Sequence, residues 1–170
     1  MRLFIALWPA AEVRDALAQV ARSLAGLASG KAVPLEKIHL TLAFLGEVAP
    51  DRIGEVRAVA DAVRVPSFEL VLDGVGAFAK AGVAWAGSSA LPDELARLQS
   101  RLESGLRARG FALDERPFAA HVTIARKVAR AVPPSPMAPI RWTASEFVLA
   151  RSEAGTGRYS VMESWPLGRD

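Results

Sequence analysis

The chain of 170 residues has no cysteine, two histidines and one tyrosine. The absence of cysteine excludes disulfides, thiolate zinc sites, iron–sulfur clusters and a cysteine nucleophile. Two histidines under-fill a histidine-built metal cage, and no acidic pair stands at ligand spacing beside either one, so neither a metal nor any other cofactor is expected. No run reaches the roughly 18 apolar residues that a membrane span needs. The apolar start Met1 to Pro9 is cut short at Pro9, and Glu12, Arg14 and Asp15 follow at once. A signal peptide needs a longer apolar region and a small-residue cleavage site, so the expectation is a cytoplasmic protein. Low-complexity tracts and short-period repeats are also missing.

What is present is a globular balance: 51% apolar and 23% charged residues. This length suits one domain, residues 1–170, or one compact body made of two small lobes. The net charge is +3 and the sequence pI about 9.8. The cations are mostly arginine, whose fork matches paired phosphate oxygens. A charge of +3 fits a grip on one anionic group better than the coating of a long polyanion.

The periodicities give an order of elements. The first eight residues read as a buried strand. Val13, Leu17, Val20 and Leu24 recur at helical spacing between Pro9 and Gly26, which predicts a helix closed at Gly26. Ile38 to Phe44 alternates, with Ile38, Leu40, Leu42 and Phe44 on an apolar face and His39, Thr41 and Ala43 on the other. A second helix opens at Pro50-Asp51, carries Ile53, Val56, Ala60 and Val63, and closes before Pro66. Phe68, Leu70 and Leu72 form a strand ended by a turn at Asp73-Gly74. Val83 to Ala86 is a short strand. A third helix begins at Pro92, bears the stripe Leu91, Leu95, Leu98, Leu102 and Leu106, and ends at Gly110. Ala119 to Ala125 is strand-like, residues 132–139 read as a proline-rich loop, and Trp142 to Ala150 and Tyr159 to Trp165 read as closing strands. The order β-α-β-α-β-β-α-β-β-β predicts an α+β protein with antiparallel sheet.

Each histidine is followed two residues later by threonine: His39-Leu40-Thr41-Leu42 and His121-Val122-Thr123-Ile124. The chain holds four threonines, and the two motifs stand 82 residues apart, half its length. This pattern points to an internal duplication. Residues i and i+2 of a strand share a face, roughly 6.5–7 Å apart, so each motif presents one imidazole and one hydroxyl while its apolar residues anchor the other side. Two such strands facing each other suit a phosphate diester. One imidazole takes a proton from water, the other gives one to the leaving oxygen, and the hydroxyls hold the non-bridging oxygens. Histidine, with an ordinary pKa of about 6.5, serves either role near neutrality. Arg126 offers a fork for the phosphate, but its parity differs from that of His121, so it reaches the site only if the strand bends. Tyr159, Phe118 and Trp85 are candidates for stacking a base; Trp8, Trp142 and Trp165 are assigned to packing.

At these residues the chain resembles the 2H phosphoesterase superfamily, and is most similar to its bacterial and archaeal RNA 2′,3′-cyclic phosphodiesterase branch, also called the 2′-5′ RNA ligase family. The likeness runs from Arg2-Leu3-Phe4-Ile5-Ala6-Leu7 through both motifs to Arg151-Ser152, Tyr159 and Trp165-Pro166-Leu167. It implies a bilobal α+β fold with two pseudo-symmetric antiparallel-sheet lobes, outer helices and a central cleft. It implies that Arg126 binds phosphate beside Thr41 and Thr123. It further implies metal-independent hydrolysis of RNA-terminal or small-nucleotide 2′,3′-cyclic phosphates to 2′-phosphates, with His121 as base and His39 as acid. The expected partners are such RNA ends or nucleotides, with no membrane and a monomeric protein. Two alternatives stand beside this: ligation of a cyclic phosphate end to a 5′-hydroxyl, and a non-catalytic RNA-end binding module. Ala32 and Ala120 depart from the family pattern at positions that bear on substrate preference rather than chemistry.

Overall fold

The computed structural model describes residues 1–168. The described chain runs through β1 (Arg2–Leu7), α1 (Ala11–Ala28), β2 (Lys31–Ala32), β3 (Leu40–Glu47), α2 (Ile53–Ala62), β4 (Phe68–Phe78), β5 (Val83–Gly87), α3 (Asp93–Ala108), β6 (His121–Arg126), β7 (Val132–Ala144), β8 (Glu146–Ser152) and β9 (Tyr159–Pro166). Single 3-10 turns cover Leu35–Lys37 and Pro50–Arg52.

The strands form one antiparallel sheet in the order β7-β4-β5-β6-β3-β1-β8-β9, with β2 also beside β6. The order divides into two four-stranded halves at the β6/β3 junction, where a single registered pair, Leu40 with Val122, joins them. Helix α1 links β1 to β3 but packs on β5, β6 and β7, while α3 links β5 to β6 but packs on β3 and α2. Each half therefore covers the other with its helix, as the apolar stripes require. In α1 the buried face is Leu17, Ala21, Leu24, Ala25 and Ala28; in α3 it is Leu95, Leu98, Leu102 and Leu106.

Several expectations are corrected. Gly26 does not end α1, because Ala25 and Ala28 still have a core to bury against; Ser29, in the left-handed region at φ 53°, caps the helix instead. Leu91 precedes α3 and is exposed. Asp73-Gly74 is no turn. Strand β4 continues through it with a register shift, and the Asp73 carboxylate accepts hydrogen bonds from the Ser89 backbone and hydroxyl. The proline-rich segment is strand, not loop: β7 lies at the edge of the sheet, where proline costs no ladder bond on the solvent side. Trp142 and Trp165 are buried as expected, Trp165 stacking on Phe147 with its indole N–H donated to Asp61.

Candidate active site

Both histidine motifs meet at the junction of the two halves. The antiparallel pairing of Leu40 with Val122, extended one residue each way, sets His39 across from Thr123 and Thr41 across from His121. Leu40 and Val122 are fully buried on the core side, which turns all four polar side chains to the opposite face.

The same irregularity recurs in both motifs. Between β1 and β3, Ala6 pairs with Thr41 and Ile5 with Ala43, leaving Leu42 extra. Between β5 and β6, Trp85 pairs with Thr123 and Ala84 with Ala125, leaving Ile124 extra. Each is a bulge, and an extra residue reverses the alternation beyond it. Arg126 thereby joins the face of His121 and Thr123 and lines the cleft. Phe44, expected on the apolar underside, is turned out to the same face, 46% exposed. Phe44 stands five residues after His39, as Arg126 does after His121, so the two occupy equivalent places.

Each imidazole is fixed alike. Nδ1 of His39 lies 2.7 Å from the Lys37 carbonyl and Nδ1 of His121 lies 2.7 Å from the Ala119 carbonyl. We assign the proton of each neutral ring to Nδ1, which donates to the carbonyl two residues back and leaves Nε2 as the reactive atom. Thr41 then donates its hydroxyl to His39 Nε2 at 2.9 Å.

The surroundings differ. The His39 ring is stacked on Trp8 (5.4 Å, 12°) and touches Phe4 (5.0 Å) and the edge of Tyr159 (5.5 Å). Burial pushes its pKa below the ordinary value; the Lys37 carbonyl opposes this, and the positive charge of Arg126 and of His121 adds to it. Trp8 is therefore part of the site, not remote packing. Opposite His121 stands Gly87, which offers no side chain, and His121 is exposed.

A cleft of about 540 Å³ opens over these groups. Arg2, Lys31, Lys37, Arg126 and Lys127 line it, and among the described residues no carboxylate does. Lys37 sits over the Tyr159 ring and Arg2 over the Phe44 ring. A second cavity of about 440 Å³ meets the cleft at Thr41, Phe44 and His121. Phe118 lines this second cavity; Trp85 lines neither, leaning instead across Gly76. Of the residues singled out in the sequence, His39, Thr41, His121, Thr123, Arg126 and Tyr159 converge on the cleft. Phe44, Arg2, Lys31, Lys37 and Lys127 are additions from the structure; only Phe44 had a signal, its offset from His39. Among the described residues no three His, Cys, Asp or Glu side chains gather as a metal cluster. Two imidazoles, two threonine hydroxyls and five cations together suit an anion.

The family model described as LigT-like phosphoesterase matches residues 7–85 and again 87–159, one histidine motif in each. The chain is 32% identical to the RNA 2′,3′-cyclic phosphodiesterase of Escherichia coli strain K12 over 98% of this chain and 96% of that protein. It is similar in structure to E. coli LigT in apo form, with TM-score 0.89 and 32% identity over 99% and 98% of the two chains. It is also similar to E. coli LigT complexed with 3′-AMP, with TM-score 0.88 and 31% identity over the same shares. With its family model matched across both halves and a relative this similar along nearly its whole length, the chain belongs to the LigT-like phosphoesterase family.

Proposed function

We propose that this chain hydrolyses the 2′,3′-cyclic phosphate of an RNA end or small nucleotide to a 2′-phosphate. The observation that carries the reading is the convergence of two Nδ1-anchored imidazoles, two threonines and Arg126 on one face of the junction, in a cleft that no carboxylate of the described residues lines. The E. coli relative bears that activity as its name, and E. coli LigT has been seen with 3′-AMP.

Access to water supports the order of the two roles that the resemblance implies. His121 is exposed, so water reaches its Nε2; His39 is enclosed by Phe4, Trp8 and Tyr159, which suits proton delivery. The water oxygen attacks phosphorus as His121 Nε2 takes the water proton. The bond from phosphorus to the 3′-oxygen breaks, and that oxygen takes the proton on His39 Nε2, giving a 2′-phosphomonoester and a free 3′-hydroxyl. Arg126 and the hydroxyls of Thr41 and Thr123 hold the charge gathering on the phosphoryl oxygens.

For this, His39 must be protonated when substrate is bound. A phosphate anion beside the buried ring supplies the reason, since opposite charge raises the pKa that burial lowers. Once Nε2 carries the proton it no longer accepts from Thr41, whose hydroxyl is freed to turn to phosphate. The base rests against Phe44 or Tyr159, the aromatic rings of the cleft wall. Residues 1–170 act as one domain and a monomer in the cytoplasm in this reading. Its test is incubation with a cyclic-phosphate oligonucleotide in EDTA and ³¹P NMR of the product. A single 2′-phosphate resonance supports it, and a 3′-phosphate or no turnover refutes it.

The second cavity favours a further reading of the same site. It opens at His121 and has room for a nucleoside, so an RNA 5′-hydroxyl there would replace water and give a 2′-5′ bond. Adding 5′-hydroxyl fragments to the incubation separates the two: joined product in excess of hydrolysed product supports ligation.

A further inference from the structure

On the far flank of β6 lies a surface that the reaction does not use. Strand β5 pairs with β6 so that Trp85 stands beside Thr123 and Val83 beside Arg126; β4 pairs with β5 so that Gly76 stands beside Trp85 and Phe78 beside Val83. Phe78, Val83 and Trp85 therefore project from the same face of the sheet as Thr123 and Arg126, while Ala84 and Ala86 point into the core. The Trp85 indole lies flat over Gly76, where an added Cβ would come within 2.5 Å of the ring. Phe78 stacks on it at 6.1 Å and 29°, yet stays 53% exposed.

The charge around this platform is mostly positive, and Asp73, which shares a surface pocket with Trp85, has its carboxylate held by the Ser89 backbone and hydroxyl. Residues 74–92 and 118–140 contain no carboxylate, but they carry Lys80, Arg126, Lys127 and Arg130, all exposed. The Val128 backbone N–H donates to the Gly82 carbonyl at 3.2 Å, which ties the hairpin turn bearing Lys80 to the segment bearing Lys127. A half-exposed aromatic pair flanked by cations and continuous with the cleft has the two parts that single-stranded nucleic acid needs: a stacking face and cations along its backbone.

We propose that the RNA strand leading to the reacting end lies across β5 and β4, with a base stacked on the Phe78–Trp85 pair and its phosphates along Lys80 and Lys127. The proposal rests on the activity above and names which part of the substrate the protein holds beyond the terminal nucleotide. It makes the enzyme sensitive to chain length: an oligonucleotide gains contacts that a cyclic mononucleotide lacks.

The test compares kcat/KM for a cyclic mononucleotide and for oligoribonucleotides of increasing length ending in cyclic phosphate, in the wild type, Phe78→Ala and Lys80→Glu. Loss of one stacked base predicts that Phe78→Ala cuts the oligonucleotide's advantage by about 5- to 150-fold. Mononucleotide turnover should stay within about twofold. Lys80→Glu should reduce the salt dependence of the same advantage. A wild type without length preference overturns the proposal, as does an advantage that survives Phe78→Ala. A wild type that turns over no cyclic phosphate refutes the activity instead. Fluorescence anisotropy of a labelled single-stranded RNA then decides on the surface alone: weaker binding by Phe78→Ala supports it, and equal binding overturns it. A protein dimer in sedimentation that Phe78→Ala dissolves assigns the surface to a second copy and likewise overturns it.

Discussion

His39 and His121 occupy matched places, down to the carbonyl two residues back and the bulge three residues on, yet Trp8 covers one ring and Gly87 leaves the other open. The same contrast ends each motif, with Phe44 in one half and Arg126 in the other. A shared backbone frame positions the two imidazoles alike at the junction of the halves. The unshared residues make the halves unequal, since one is aromatic and enclosed while the other is cationic and wet. A cyclic phosphodiester needs that inequality, because it brings a base and a sugar to one side and must admit water from the other.

The most damaging way to break the comparison is to delete either imidazole. Proton transfer by a positioned side chain contributes about 10²–10⁴-fold. His39→Ala and His121→Ala should each lose at least about 100-fold in kcat with the circular dichroism spectrum unchanged; if one variant keeps near-normal turnover, the paired assignment fails. Exchanging what ends the motifs comes next. Arg126→Ala removes charged hydrogen bonds worth about 1.5–3 kcal/mol each, so kcat/KM should fall about 10- to 150-fold for every cyclic phosphate, whatever its base. Phe44→Ala should weaken nucleotides and leave the inhibition constant of inorganic phosphate unchanged. Equal losses on nucleotide and phosphate would show that the two positions do the same work.

A smaller effect sharpens the difference in environment. The pKa of His39 is depressed by burial in the free protein and raised by a bound anion, so binding near neutrality takes up a proton. Calorimetric titration with inorganic phosphate in buffers of different ionisation enthalpy should show that uptake, and His39→Gln should reduce it. The smallest effect is expected from Trp8→Ala, which uncovers the ring and should move the His39 pKa back up toward its ordinary value.

The parts of the site written in residue type are legible in the sequence: two histidines, each with threonine two places on, and a tyrosine near the end. The parts made by backbone irregularity were not. Alternation placed Arg126 off the site and Phe44 in the core, because strict period two has no term for the bulges at Leu42 and Ile124. Pro133 to Pro139 read as loop since proline cannot donate to a ladder; its place on an edge strand depends on partners far away in sequence. Gly26 read as a stop, and the helix passed it because the far half of the sheet needed covering. Trp8 was read as packing because its stacking partner lies some thirty residues on.

The contrast between the half-sites is tested most directly by NMR titration of the imidazoles, of which this chain has two, with and without inorganic phosphate. Assignment follows from His39→Gln and His121→Gln. The account predicts that the His39 midpoint lies below about 6.5 in the free protein and rises when phosphate binds. A His39 ring that titrates at its ordinary value and ignores phosphate would contradict it.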